Sequence, residues 1–389
     1  MDSSIRNTIL INNAFLNAPE HTSGGDVRFV DIILNSSLNK NKITIYCSGT
    51  FRTLLEEYLI EKYILKNQIE FTLSPKWFDY FPTIICYILR CTWLTFKLSQ
   101  VQKTFILCAS DQFPDLIPII INKLRPNFNI VGFCTYHLLP SAKKRHGNYI
   151  INRVSSFFQN SVFRLSNLID FSIYPTKLYS DKVKEMFGIK HRQIIIPMQL
   201  VLNANTVPSA RIFPNYDLIY LGRISKNKGV FYIPEILAYL DLKGSFRIGI
   251  VGSGKKNVAF KLKQMINKLG IEVDFLGYLS EYEKVKLLGN SACLMLPSEE
   301  EGFSLTILEA LSFSMEVVAW DLIELKSIYG DQIRYASQNN VQDFAERIEE
   351  AIENSRSQKG SIQVKDLTSK NSTSRFEELN ELLKELNEF

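Results

Sequence analysis

The residues best suited to chemistry in this 389-residue chain lie between Pro297 and Ala310. There Glu301 and Glu309 stand eight positions apart, across Gly302 and a run, Phe303-Ser304-Leu305-Thr306-Ile307-Leu308, that reads as a turn leading into a helix. Eight helical residues span about 12 Å. That separation is too wide for two carboxylates sharing one proton, and it suits two grips on an extended, hydroxyl-rich ligand. Gly302 permits the turn. A helix starting near Ser304 aims free N–H groups and its positive dipole end at whatever precedes it, where an anion is favoured. Sugar, phosphate and ribose, in that order, fit such a layout. The plain alternative is a surface acidic cluster followed by an ordinary amphipathic helix.

A basic element precedes it at a sensible distance. Leu218-Ile219-Tyr220-Leu221-Gly222 reads as a buried strand ending in glycine, followed by Arg223-Ile224-Ser225-Lys226-Asn227-Lys228-Gly229 and an apolar helical pattern. Arg223 offers a planar fork and Lys228 a compact charge, a pairing suited to a diphosphate. Taken singly, the segment is a solvated basic loop. Beside the acidic segment, in one α/β half, it favours a ligand site.

On these residues the chain resembles the family 4 glycosyltransferases, retaining enzymes of the GT-B fold that use nucleotide sugars. The carrying motifs are Gly222-Arg223 through Lys228-Gly229, Gly252-Ser253-Gly254, Phe275-Leu276-Gly277-Tyr278-Leu279 and the Glu301/Glu309 pair, spread from Leu218 to Trp320. In the first half the likeness rests on Gly24-Gly25 near the first strand and on His137 after a later one. The resemblance implies that Arg223 and Lys228 bind the donor diphosphate, with Gly24 and Gly25 approaching it from the opposite domain. It implies that Glu309 holds the ribose, that Leu276, Tyr278 and Gly252 meet the donor's ribose and base, and that Glu301 and His137 lie at the transferred sugar. Two departures stand out. Ser314 and Glu316 replace a glycine and a proline after the glutamate helix, and Ser304 replaces a glycine beside the donor.

The elements that must position these residues follow from patterning. Short apolar strands at Thr8–Asn12, Ile43–Cys47, Thr104–Ala109, Ile130–Thr135, Ile194–Ile196, Asp217–Leu221, Arg247–Val251, Glu272–Leu276, Ala292–Leu296 and Glu316–Ala319 alternate with helical runs. The expected fold is α/β: two Rossmann-like, doubly wound parallel sheets, which the resemblance places across a cleft. The expected division is an acceptor-binding domain at 1–200, a linker at 201–215, a nucleotide-sugar domain at 216–370, and a closing helix at 371–389. That helix, with Leu379, Leu382, Leu383 and Leu386 on one face, is implied to return to the first domain. Phe81–Phe96, the most hydrophobic long segment, reads as a core helix interrupted by Arg90 and several threonines, with monotopic membrane contact as the alternative.

Composition bounds the rest. A hydrophobic content of 46% and a charged content of 22% are those of an ordinary globular enzyme, and the length calls for two domains. Residues 1–200 hold 23 Lys and Arg against 14 Asp and Glu, while the remainder holds 22 against 26. A basic first half suits an anionic membrane surface or a lipid-phosphate acceptor, and the Lys143-Lys144-Arg145-His146 cluster is either a solvated loop or part of that contact. Nucleic acid is not an expected partner, because no basic-aromatic stripe accompanies the charge. Cys47, Cys86, Cys91, Cys108, Cys134 and Cys293 show no metal-ligand spacing and read as buried thiols of a reducing compartment. With no signal-peptide pattern at the start, the expected location is cytoplasmic, with peripheral attachment to the cytoplasmic face of the membrane as the alternative. Asp111 and Asp115 flank Pro114 at a strand end, Asp111 as a helix cap or, second, an acceptor contact.

The expected activity is glycosyl transfer to a glycan or lipid-linked acceptor in surface-polysaccharide assembly, with cationic side chains neutralising the departing diphosphate. No Asp-x-Asp motif appears at a strand end, so neither a metal nor another cofactor is expected. Two other readings stay open. Gly252-x-Gly254 after a strand, with Glu272 downstream, suits a nicotinamide enzyme, although Asn257 fills the third glycine position. A non-catalytic partner that keeps the fold and only binds is the other.

Overall fold

The computed structural model describes residues 8–13, 24–40, 42–59, 69–102, 104–125, 129–136, 149–198, 215–240, 246–357 and 374–387. The chain divides into two units, Met1–Val201 with Asn371–Phe389, and Leu202–Lys370.

Short β-branched and aromatic runs become strands, and each is flanked by amphipathic helices. In the first unit the strands are β1 (Thr8–Asn12), β2 (Ile43–Cys47), β3 (Ile69–Leu73), β4 (Phe105–Cys108), β5 (Ile130–Cys134), β6 (Phe171–Tyr174) and β7 (Arg192–Ile195). They form one parallel sheet in the order β3-β2-β1-β4-β5-β6-β7. The second unit holds β8 (Tyr216–Leu221), β9 (Ile248–Val251), β10 (Asp274–Gly277), β11 (Ser291–Leu296), β12 (Glu316–Trp320) and β13 (Arg334–Ala336). Their order is β10-β9-β8-β11-β12-β13, again parallel throughout. Both sheets are doubly wound, as expected. Strand order reverses between β1 and β4 and between β8 and β11, and such reversals open a crevice outside the carboxyl ends of the strands.

The inner strands are buried on both faces, which is why they read as largely apolar runs: every residue of β1, β4 and β9 is buried. Three strands escape the apolar pattern. β3 is a half-buried edge carrying Glu70, β6 is four residues long with Ser172 inside it, and β13 is a three-residue edge.

The helix Glu377–Asn387 and the residue before it close the first unit, with Phe376, Leu379 and Leu383 buried in the same core as Leu10, Phe29 and Ile45. Arg375 pins the approach, donating to both Asp31 carboxylate oxygens at 3.0 and 3.1 Å. All six cysteines are free and buried. Burial raises the thiol pKa of Cys91 to about 11 and that of Cys134 to about 12, so neither is a nucleophile.

The run Phe81–Phe96 departs from expectation. It forms the helix Thr83–Leu98, but not as a core helix: Ile84, Ile85, Ile88 and Phe96 are exposed while Arg90 is buried. Arg90 turns inward because the end of β1 offers it partners. It donates to the Asn13 carbonyl at 2.7 Å and pairs with Asp79. No helix among the described residues is long and apolar enough to cross a membrane.

Candidate functional site

Two loops leave the central strands of the second sheet side by side. β8 ends at Leu221 and hands the chain to Gly222-Arg223, and neighbouring β11 ends at Leu296 and hands it to Pro297-Ser298. Their contacts knit the basic loop to the acidic one. The Glu299 N–H donates to the Asn227 carbonyl at 3.2 Å, and Lys228 Nζ donates to Glu301 Oε1 at 2.6 Å.

Glycine allows that approach. Gly229 has φ of 68°, and a Cβ there would lie 1.6 Å from the Pro297 carbonyl oxygen. The same carbonyl accepts the indole N–H of buried Trp320 at 2.9 Å. The basic backbone therefore rests directly on the acidic loop. Gly252, after β9, repeats the device with φ of 133°: a Cβ would lie 1.8 Å from the Gly222 carbonyl oxygen. Its N–H donates to the Gly277 carbonyl at 2.8 Å, so the turns after β8, β9 and β10 stack along one edge.

The glutamate helix is Leu305–Ser312, preceded by Ser304 at φ 60° and ψ 84°. Ser304 therefore holds a left-handed backbone that costs an L-residue about 1–2 kcal/mol. The Tyr329 hydroxyl pins the turn, lying 2.8 Å from the Phe303 carbonyl oxygen and 2.9 Å from that of Ser304. From this helix Glu309 accepts from Lys284 Nζ at 2.6 Å. Lys284 stands on the helix Glu281–Gly289, whose start is fixed by a reciprocal Ser280–Glu283 capping box.

Both ion pairs are largely withdrawn from solvent. The Glu301 side chain is 6% exposed and that of Lys228 22%. Burial, reinforced by Glu301, raises the pKa of Tyr220 and Tyr329, so both phenols stay protonated and act as donors. Tyr220 gives its proton to the Arg223 carbonyl at 2.7 Å. Lys228 carries three N–H donors and Glu301 two acceptor oxygens, more than their mutual bond uses. An edge built this way can take an anion flanked by hydroxyl-bearing groups.

The second sheet thus gathers Arg223, Lys228, Gly252, Leu276, Tyr278, Glu301 and Glu309 on strand ends, loops and a short helix at its carboxyl edge. Arg223 is exposed there, Tyr278 is 61% exposed, and Leu276 is half-buried. Gly24 and Gly25 belong to the first unit and open the helix Gly24–Asn35, where the Tyr136 hydroxyl donates to the Gly25 carbonyl at 2.8 Å. His137 and the basic cluster at 143–146 lie outside the described residues.

Two expectations are corrected. Asp111 does not cap the helix Phe113–Lys123, where Gln112 holds the cap position without a side-chain bond. Its carboxylate accepts from Gln159 at 2.9 Å and Thr135 at 3.1 Å instead. Glu272 cannot take a ribose in the nicotinamide manner, because it precedes β10 and so lies at the amino end of that strand. The glycine turn Gly252–Gly254 also follows β9, not β8, the strand beside the order reversal. Sequence reading missed Lys284, Tyr220, Tyr329 and Trp320. β8 is buried without a break from Leu218 to Leu221, so no alternation singles out Tyr220.

Comparison with known proteins agrees with this geometry. Residues 212–364 match the model of the family described as "Glycosyl transferases group 1". The chain is 26% identical over 166 residues to an "Uncharacterized glycosyltransferase" of Haemophilus influenzae, covering 40% of this chain and 45% of that protein. It is 32% identical over 104 residues to a Campylobacter jejuni protein named "GalNAc-alpha-(1->4)-GalNAc-alpha-(1->3)-diNAcBac-PP-undecaprenol alpha-1,4-N-acetyl-D-galactosaminyltransferase", covering 25% of this chain and 27% of that protein. The matches therefore span less than half the length of these relatives. Among solved structures, Anabaena Alr3699/HepE in complex with UDP-glucose shares the fold with a TM-score of 0.68 at 16% identity, over 98% of both chains. The strand orders and this likeness make the fold GT-B.

Proposed function

We propose that the chain is a glycosyltransferase that moves a sugar from a nucleotide-sugar donor to a glycan or lipid-linked acceptor in surface-polysaccharide assembly. One observation carries the reading: at the reversal of strand order in the second unit, two carboxylates are each held by a lysine, at 2.6 Å in both pairs. The matched family and the relatives' printed names support the same activity. In this reading Lys228 and Arg223 meet the donor diphosphate, and Glu309 holds the ribose hydroxyls. Glu301 accepts from hydroxyls of the transferred sugar, and the turn around Leu276 and Tyr278 meets the base.

The physical logic is electrostatic. Negative charge grows on the diphosphate as the glycosidic bond breaks, and fixed cations in a poorly solvated site stabilise that change with little reorganisation. Lys228 keeps one N–H on Glu301 and turns another toward phosphate, so the carboxylate that grips the sugar also orients the cation. Glu309, steadied by Lys284, presents acceptor oxygen to a vicinal diol. The finer reading is a retaining, family 4 enzyme that needs neither metal nor another cofactor. It works at the cytoplasmic face of a membrane, with the basic first unit toward the lipid.

A panel of UDP-, GDP- and ADP-sugars, followed by thermal unfolding, tests this. A saturating donor at about 100 times its Kd adds about 2.7 kcal/mol, so one base should raise the midpoint clearly, and should do so in chelator. No shift with any sugar nucleotide contradicts the proposal.

A further inference from the structure

We propose that one face of the first unit docks on a membrane surface containing anionic lipid, by inserting two apolar helix rows and an aromatic corner. The inference deepens the lipid-linked acceptor reading above and rests on it for its biological sense. The helix Thr83–Leu98 is amphipathic in the wrong direction for water. Its inner row buries Cys86, Arg90, Leu94 and Leu98, while its outer row presents Ile84 at 68%, Ile88 at 50% and Phe96 at 67% exposure. A helix facing solvent normally turns its apolar stripe toward the core.

A second row stands nearby. On the helix Tyr149–Leu165, Ile150, Val154 and Phe157 recur at helical spacing and are all exposed, Ile150 at 70%. The two rows share a boundary. The helix Phe113–Lys123 packs against both, Tyr87 reaches Gln112 at its start, and Phe113 meets Phe158 with ring centroids 5.3 Å apart. Ahead of the first row, Trp77, Tyr80 and Phe81 form an exposed aromatic corner, with Trp77 edge-on to Phe81. Contiguous exposed apolar surface of this kind marks a partner, and tryptophan and tyrosine favour the water–lipid boundary.

Charge selects the partner. The helices Thr83–Leu98 and Tyr149–Leu165 contain no Asp or Glu. Asp115, the acid of the intervening helix, is fully buried and accepts from the Asn13 N–H and the Ser110 hydroxyl. The charges left outward on the two rows' helices are cations, among them Lys97, Arg153 and Arg164. The nearby carboxylates are spent on partners, Asp79 on Arg90 and Asp111 on Thr135 and Gln159, so apolar rows flanked by cations match an interfacial lipid surface. The two helices also begin at the carboxyl side of the sheet, since β5 precedes one and β3 the other. Docking there brings the crevice between β1 and β4 close to lipid-borne substrate.

Flotation of the full chain with phosphatidylglycerol–phosphatidylcholine vesicles, against phosphatidylcholine alone, tests the proposal. Wild type should float with the anionic vesicles. The triple variant Ile84→Ser/Ile88→Ser/Phe157→Ser should lose binding at least ~tenfold through lost apolar insertion. Arg153→Gln/Arg164→Gln, which touches only exposed positions, should weaken binding about fivefold per arginine, and salt should mimic it. Both variants should keep the thermal shift given by sugar nucleotides. Wild type that stays unbound, variants that float as well as wild type, or a wild-type dimer that the triple variant converts to monomer would each overturn it. Vesicle binding without any nucleotide response would leave this face standing and remove the glycosyltransferase reading; the reverse result would do the opposite.

Discussion

The two units share a strand order and differ in where each keeps its charge. At the carboxyl edge of the second sheet, whole ion pairs are assembled, Lys228 with Glu301 and Lys284 with Glu309, on loops that glycines allow to touch. At the corresponding edge of the first, Asn12, Asn13, Asp26, Arg90 and Asp115 are buried in a network of their own bonds. Its outer helices turn apolar rows to solvent instead. One architecture thus serves two tasks, because its strands fix only where loops emerge and the loop residues decide what is gripped.

The sharpest way to break this contrast is at Lys228. Lys228→Ala should cut transfer at least ~100-fold by removing a charged contact of roughly 3 kcal/mol, and it should also destabilise the second unit by leaving Glu301 unpaired in a nearly closed site. Lys228→Met combined with Glu301→Gln should recover most of that stability without recovering turnover. Near-normal transfer by Lys228→Ala would mean that the pair is structural only.

A smaller effect separates the units by pH. All four histidines lie before residue 192. His191, 2.7 Å from the Ser172 hydroxyl, is held by burial at a pKa of about 4, against the opposing pull of Asp170. A histidine whose folded pKa is depressed favours folding above its unfolded value near 6.5 and loses that contribution as pH falls toward 4. Acidification from pH 7 to 5 should therefore weaken the first unit by about 1–2 kcal/mol, and His191→Gln should flatten the dependence. Hydrogen exchange resolved by unit reads the difference. Equal loss of protection in both units would erase the distinction.

The smallest effect concerns the turn after the glutamate helix. Ser314 sits at φ 55°, where an L-residue costs about 1–2 kcal/mol. Ser314→Gly should raise the midpoint of the second unit by about 2–4 °C for each kcal/mol relieved, less what glycine adds to unfolded-chain entropy. A fall in the midpoint would show that the serine's own interactions outweigh the strain.

What the chain discloses before folding follows the same division. Buried parallel strands announce themselves as apolar runs, so β1 and β2 are legible to the residue, whereas β3, β6 and β13 carry polar or half-exposed residues that blur the pattern. Glu301 and Lys228 are legible because each follows a strand end. Lys284 is not, since it meets Glu309 across 25 residues through tertiary packing alone. Asp111 was misread because the spacing that suggests a cap also fits a bond to Gln159 on another helix. The outward face of Thr83–Leu98 is hidden for a related reason: the sequence shows Arg90 only as an interruption of a core helix, and the partners at the end of β1 reveal that it is the buried residue.

The most direct measurement is a crystal structure of the chain soaked with whichever sugar nucleotide stabilises it most. Lys228 Nζ should lie within about 3.2 Å of a diphosphate oxygen and a Glu309 oxygen within the same distance of a ribose hydroxyl. A donor seated elsewhere, or Lys228 still bound only to Glu301 with the edge of β8 and β11 empty, would contradict the assignment.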